Sequence, residues 1–277
     1  MSRRNQISSG LYKVIAFSTI TFLLSSCYSN IEGCLDPEST NYGIEADVSC
    51  EDCCEYPILQ LNIFHNNGEE TFNLGDTIKN NFDQEVILLG YVYLLSDFYV
   101  NTEDGFAHEV EDTINVSKLD GVEWVKEDVI RVKRSKFSYD IGTTTFKGDV
   151  STISFRTGIL EDLNSFEIIT PNSGNSLTTD PDTLLQTNPR QYVTQRILAV
   201  PGPEFNDTLV YDVVNSEGIN FINIPVEYTS SRGLDKELEI IADYGLWFEN
   251  INFETMQIHE VETELARNIK NIFKPVE

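Results

Sequence analysis

The residues with chemistry to offer are few and fall into two groups. Five cysteines lie early in the chain, at Cys27, Cys34, Cys50, Cys53 and Cys54, and three histidines are scattered, at His65, His108 and His259. A thiol can be acylated, oxidised to a disulfide or bound to a soft metal; a neutral imidazole binds copper or zinc. Spacing separates these options. Cys27 follows Leu24-Ser25-Ser26, at the end of an apolar run from Val14 to Leu24, which Arg3, Arg4 and Lys13 precede. That run is about 11 residues long, far short of the roughly 20 needed to span a bilayer. A positive start, a short apolar run and two small residues before a cysteine form an export signal of lipoprotein type. Small side chains let the extended backbone enter a signal peptidase, and the thiol accepts a diacylglycerol. Cys27 is therefore the expected lipidation site. Residues 1–26 are expected to be a signal peptide, with the mature chain held on the lipid bilayer through acylated Cys27. Several acyl chains, at about 0.8 kcal/mol per buried methylene, make a lasting anchor. The expected place is the cell envelope, on the outer membrane, with the periplasmic or the surface-exposed face left open. An ordinary secretory signal with a chance cysteine is the alternative.

The other four cysteines all fall in GCLDPESTNYGIEADVSCEDCCEYP. In an oxidising compartment an even cluster reads as disulfides, and a segment this short needs such staples. Cys53 and Cys54 are neighbours, and a bond between neighbours is strained. Each is expected to pair back to Cys34 and Cys50, in an order left open. A zinc site is the weaker reading, because C-x15-C-x2-C-C is a poor spacing and no histidine is near. Asp36, Glu45, Asp47, Glu51 and Asp52 lack the alternating spacing of a calcium loop. Residues 27–57 are thus expected to be a lipid-bearing, disulfide-rich leader that spaces the anchor from the domain of residues 58–277.

That domain carries no trace of a standard enzyme. G-x-S-x-G, H-E-x-x-H, a phosphate-binding glycine loop and a dinucleotide fingerprint are all missing. Paired acids such as Glu161-Asp162 carry no weight in a chain with 45 carboxylates. Trp124 and Trp247 read as core or sheet-surface residues. The expectation is a non-enzymatic binding or interaction module whose ligand is unknown. The competing reading is a metal carrier using His65 and His259.

Elements that would position these residues are mostly strands. Ile58–Phe64 alternates and meets the turn Asn66-Asn67-Gly68; Glu85–Val100 is dense in aliphatic and aromatic residues and reads as one long strand or two, buried on both faces. Further strands are expected over Asp128–Tyr139, Ser151–Gly158, Tyr192–Val200, Asp207–Val214, Ile219–Thr229 and Glu237–Asp243. Thr170–Pro189 is polar and turn-rich, a long loop. The period then changes: Ile258, Val261, Leu265, Ile269 and Ile272 recur at three and four residues, as on one face of a helix. Strands without alternating helices predict a mostly-β chain, an antiparallel β-sandwich with a C-terminal α-helix. A hydrophobic fraction of 40% over 277 residues suffices for its core. The formal net charge of −26 argues against nucleic acid as a partner.

The order of these segments resembles a known family. LQLNIFH opens, NLGDTI follows, then VILLGYVYLLSDFYV, ISFRTGILEDLN, a DPDT loop, ILAVPG, and a close of YGLWFENINFETMQIHEVETELARNIKNIF. Over about Leu59–Phe273 this looks like the MbnP-like family, extracytoplasmic β-sandwich proteins named for a copper-binding member partnered with a di-haem peroxidase-like protein. The short cysteine module likewise resembles those at the N-termini of Bacteroidetes surface proteins. The resemblance implies the sandwich, a partner protein in the cell envelope that is unknown here, and copper as the candidate cofactor. His65 and His259 match family positions. Where the family carries Met, aromatic and Trp residues this chain has Leu184-Leu185-Gln186-Thr187-Asn188, and Ile222-Asn223-Ile224 stands where a family histidine falls. Loss of those ligands predicts weak copper affinity.

Overall fold

The computed structural model describes residues 29–50, 52–118, 121–126, 128–146, 148–160, 185–187, 190–214 and 220–276. Cys27 and the signal segment, and most of the Thr170–Pro189 loop, lie outside them. The chain divides into two compact units.

Of the described residues, the smaller unit comprises 29–35, 42–50 and 52–54. Two short strands, β1 (Glu32–Gly33) and β2 (Val48–Ser49), pair in parallel. Cys34 is bonded to Cys54 and Cys50 to Cys53. Ile31, Tyr42, Ile44 and Val48 stay exposed, and among the described residues Cys34 is this unit's buried apolar side chain. The covalent bonds, not a core, must therefore hold it.

The larger unit takes in Asp36–Asn41 and everything from Glu55 on. Asp36–Asn41 belongs here by contact: Thr40 N donates to Glu55 O (2.8 Å), Tyr56 Oη to Asp36 Oδ2 (3.0 Å), and Glu38 pairs with Arg232 (3.0 Å). Its strands are β3 (Ile58–Asn67), β4 (Glu70–Thr71), β5 (Thr77–Lys79), β6 (Glu85–Thr102), β7 (Ala107–Glu109), β8 (Thr113–Lys118), β9 (Gly121–Lys126), β10 (Ile130–Lys133) and β11 (Ser138–Thr143). They continue with β12 (Gly148–Thr157), β13 (Leu185–Thr187), β14 (Arg190–Pro201), β15 (Leu209–Val214), β16 (Phe221–Ser230) and β17 (Lys236–Asp243). A 3₁₀ turn (Tyr244–Phe248), helix α1 (Ile258–Ile272) and β18 (Phe273–Pro275) close the chain. The fold is mostly β, with antiparallel pairing dominant and a C-terminal helix.

Two sheets face each other. The larger runs β13-β14-β6-β12-β16, with β5, β7, β10 and β15 attached along β6 and β14; the smaller runs β11-β3-β17-β18, with β4 on β3. Leu59, Leu61, Ile63, Leu238 and Ile240 from the small sheet meet Val86, Tyr93, Ile153 and Ile197 from the large one in a single core. Along α1, Val261, Leu265, Ala266, Ile269 and Ile272 are buried, one side of a 3.6-residue period. Glu260 accepts from the Gln257 N–H (2.7 Å) and closes the helix start.

Three features depart from the sequence reading. Asp128–Tyr139 is not one strand: Lys136 N bonds back to Lys133 O (3.0 Å), and this turn sends β10 to the large sheet and β11 to the small one. Leu185–Thr187 is a short strand rather than loop, paired with β14. The small sheet is not wholly antiparallel, because β3 and β17 run parallel, Leu59 opposite Lys236 through Asn66 opposite Asp243.

Candidate functional site

His65 lies near the end of β3 and points inward, 5% exposed. Its Nε2 is 3.0 Å from Lys136 O, and its Nδ1 is 2.7 Å from Tyr244 Oη and 3.0 Å from Tyr91 Oη. A carbonyl only accepts, so Nε2 carries the proton and donates to it. Nδ1 then holds one lone pair, which the two phenols approach as donors. Both ring nitrogens are engaged. Burial pushes the imidazole below its ordinary 6.5, against the opposing pull of the Lys136 carbonyl. His65 is therefore held neutral as a bonded core residue.

Around it the strand period and the 3₁₀ turn assemble an aromatic cluster. Tyr91 and Tyr93 come from one face of β6, Tyr244 and Trp247 from the 3₁₀ turn. Tyr91 and Tyr244 have ring centroids 4.5 Å apart, and Trp247 meets Tyr93 edge-on at 5.6 Å. Trp247 Nε1 donates to Gln195 Oε1 on β14 (3.2 Å). Burial raises the hydroxyls of Tyr91, Tyr93 and Tyr244 far above the ordinary phenol value, and that of Tyr139 to about 12. None of them ionises at neutral pH. Asp243 starts the turn: its carboxylate accepts from Gly245 N (3.1 Å) and Gly68 N (2.9 Å) and pairs with Lys274 (3.0 Å).

His259 is elsewhere in character. It is exposed in the first turn of α1, and its carbonyl accepts from Thr263 Oγ1 (2.8 Å). A buried imidazole with both nitrogens engaged and an exposed one on a helix do not make a shared copper site. Among the described residues no group of three or more His, Cys, Asp or Glu is placed to hold a metal ion. The described residues do not fit copper. His108, on β7, lies half-buried with its ring 5.6 Å from that of Phe146. Trp124 lies on β9, opposite Asn115.

Among the described residues a groove of about 1170 Å³ opens between β16 of the large sheet and β17 of the small one. Its floor is apolar: Val150 and Leu238 are buried, and Val226 and Tyr228 pack on the core. Its rim carries Glu103, Asp149, Glu227, Glu237 and Glu239, all exposed, and no Lys or Arg lines it. Strand alternation produces this division, since Glu237 and Glu239 flank the inward Leu238 on β17. Asp149 Oδ1 accepts from Thr229 Oγ1 (2.6 Å), tying β12 to β16 at the rim. Burial, then the Glu237 charge, raises the Tyr228 hydroxyl, which meets the Glu237 main chain across the groove. None of these residues was singled out from the sequence; the acid–apolar alternation of Lys236-Glu-Leu-Glu-Ile240 was the local signal available.

No protein-family model matches the chain, and no curated protein does. Among solved structures it is similar to MbnP from Methylosinus trichosporium, at 8% sequence identity, a TM-score of 0.38, and coverage of 69% of this chain and 77% of that one. That is a distant structural relationship and carries no functional argument. No described helix is long and apolar enough to cross a membrane.

Proposed function

We propose that the protein is a lipid-anchored lipoprotein of the cell envelope that acts as a binding module without catalytic chemistry of its own. The observation that carries the binding role is the groove between β16 and β17: an open, apolar-floored, carboxylate-rimmed cleft beside strand edges. The anchor rests on the Leu24-Ser25-Ser26-Cys27 signal. The disulfides of Cys34, Cys50, Cys53 and Cys54 agree with an oxidising compartment. The ordered motifs that resemble the MbnP-like family support a divergent relative that keeps the scaffold. Its copper role is not favoured here, because His65 would have to give up the Tyr244 and Tyr91 hydrogen bonds to bind metal.

Two measurements test this reading. In cells fed an alkyne-tagged fatty acid the chain takes up label and Cys27→Ser does not; equal labelling of both ends the anchor. A photo-crosslinking residue at position 227 in the groove yields a discrete adduct in intact cells, while one at Phe82, exposed between β5 and β6 and not part of the groove lining, does not. Equal adducts at both positions, or none, would sink the recognition role of the groove.

A further inference from the structure

We propose that this groove takes an extended cationic polypeptide segment as an added strand on the free edge of β17, its side chains alternating apolar and basic. This rests on reading the groove as the recognition surface and names what fills it. The first support is the edge itself. β18 covers β17 only from Ile240 to Ala242, so Lys236–Glu239 has β3 on one side and, among the described residues, no strand on the other. β16 likewise pairs with β12 alone. Tyr228 Oη reaches the Glu237 main chain from β16, so an incoming strand takes over that contact along with the remaining outward N–H and C=O groups of the edge. Pro275 lies opposite Ile240, so an incoming strand continues the line of β18. The four free residues span roughly 13 Å at about 3.3 Å each, the reach of a short peptide.

The second support is periodicity. An extended segment shows its side chains to opposite faces at a period of 2. In this groove one face meets the floor of Val226, Tyr228 and Leu238, and the other meets the carboxylates of Glu227, Glu237 and Glu239. Apolar and basic residues in alternation satisfy both. The third is charge. The neighbouring cations are turned away: the Lys236 ammonium donates to Thr144 O (3.1 Å) and lies over the Phe146 ring (4.8 Å), and Lys274 pairs with Asp243. A second copy of this chain, at a net charge of −26, has the wrong sign. The rim carboxylates form no metal-holding group, so a small cation is not the favoured occupant.

The probe is a labelled, end-capped peptide of about seven residues alternating lysine and valine, followed by fluorescence anisotropy with the full-length chain. Saturable micromolar binding is expected at physiological salt. It should weaken about tenfold or more in Glu237→Gln/Glu239→Gln, two exposed positions on the outward side of β17. It should weaken by a similar factor when the valine amides are N-methylated, which keeps the charge but removes the strand donors. Equal binding of the N-methylated peptide, displacement by spermine at equal charge concentration, or no saturable binding would each overturn the proposal. If the adduct at position 227 persists while the lysine–valine peptide fails, the groove stays a recognition surface and only this occupant falls. If both fail, both readings fall.

Discussion

At residue scale, His65 is the position where two chemistries compete, and distance decides between them. Its Nδ1 lies 2.7 Å from Tyr244 Oη and its Nε2 3.0 Å from Lys136 O, and its burial among these rings disfavours the charged imidazolium more than the Lys136 carbonyl favours it. The folded imidazole therefore titrates below the unfolded one. Its contribution to stability is full above about pH 6.5, declines as pH falls below that, and is gone once pH is below the folded value. Melting curves between pH 7 and pH 5 should show a fall in Tm for the wild type that is reduced in His65→Gln; an unchanged slope would mean that another group is responsible. Trp247 is fully buried and its N–H is bonded to Gln195. Trp247→Ala should cost about 3–5 kcal/mol by denaturant unfolding. The sequence reads His65 as the end of an apolar strand, and it lies two residues before the end of β3. It did not reveal the partners, because Tyr91 and Tyr244 are 26 and 179 residues away and no period links them.

The element that organises the larger unit is β6, and its burial pattern explains why it read as buried on both faces. Core residues are Val86 and Leu88, then Tyr91, Tyr93 and Leu95, then Phe98 and Val100. The inward parity flips twice. One flip is at Leu89, where the register against β14 shifts; the other is at Asp97, which has φ 58 and where the register against β12 shifts. A strict period-2 reading fails across a bulge, since each bulge reverses which residues face in. Asp128 fixes the second bulge by accepting from the N–H groups of Asp97 (2.9 Å) and Phe98, while Arg156 pairs with Asp97 (2.6 Å). Asp128→Ala leaves those donors unpaired and should cost about 1–3 kcal/mol for each; a loss under half of one such bond, by urea denaturation, would mean water replaces the carboxylate. α1 was the most legible element, because five apolar residues at three- and four-residue spacing leave little choice. Ile258, 52% exposed, is the one that does not reach the core. The groove was illegible for the opposite reason: its walls come from β12, β16 and β17, and only pairing over long separations brings them together.

At the scale of the molecule, the two units stand on different physics. The larger has a continuous core; the smaller exposes Ile31, Tyr42, Ile44 and Val48 and depends on Cys34–Cys54 and Cys50–Cys53. Replacing Cys34 and Cys54 by Ser should open the smaller unit to protease between residues 42 and 54, yet shift the main unfolding transition of the larger unit by less than about 1 kcal/mol; loss of that transition would show the units to be one cooperative body. The fold class was legible throughout, but the parallel β3–β17 pair was not, since nothing local distinguishes it from an antiparallel neighbour. That pair has a temporal consequence. Ile58 is bound to Asp235 across 177 residues, and β3 gains its second neighbour only when β17 arrives. Contacts this distant along the chain make folding slow, and no nascent chain shorter than β17 can close the small sheet. The export proposed above would gain from such delay, because the larger unit's first strand stays unlocked until β17 has emerged.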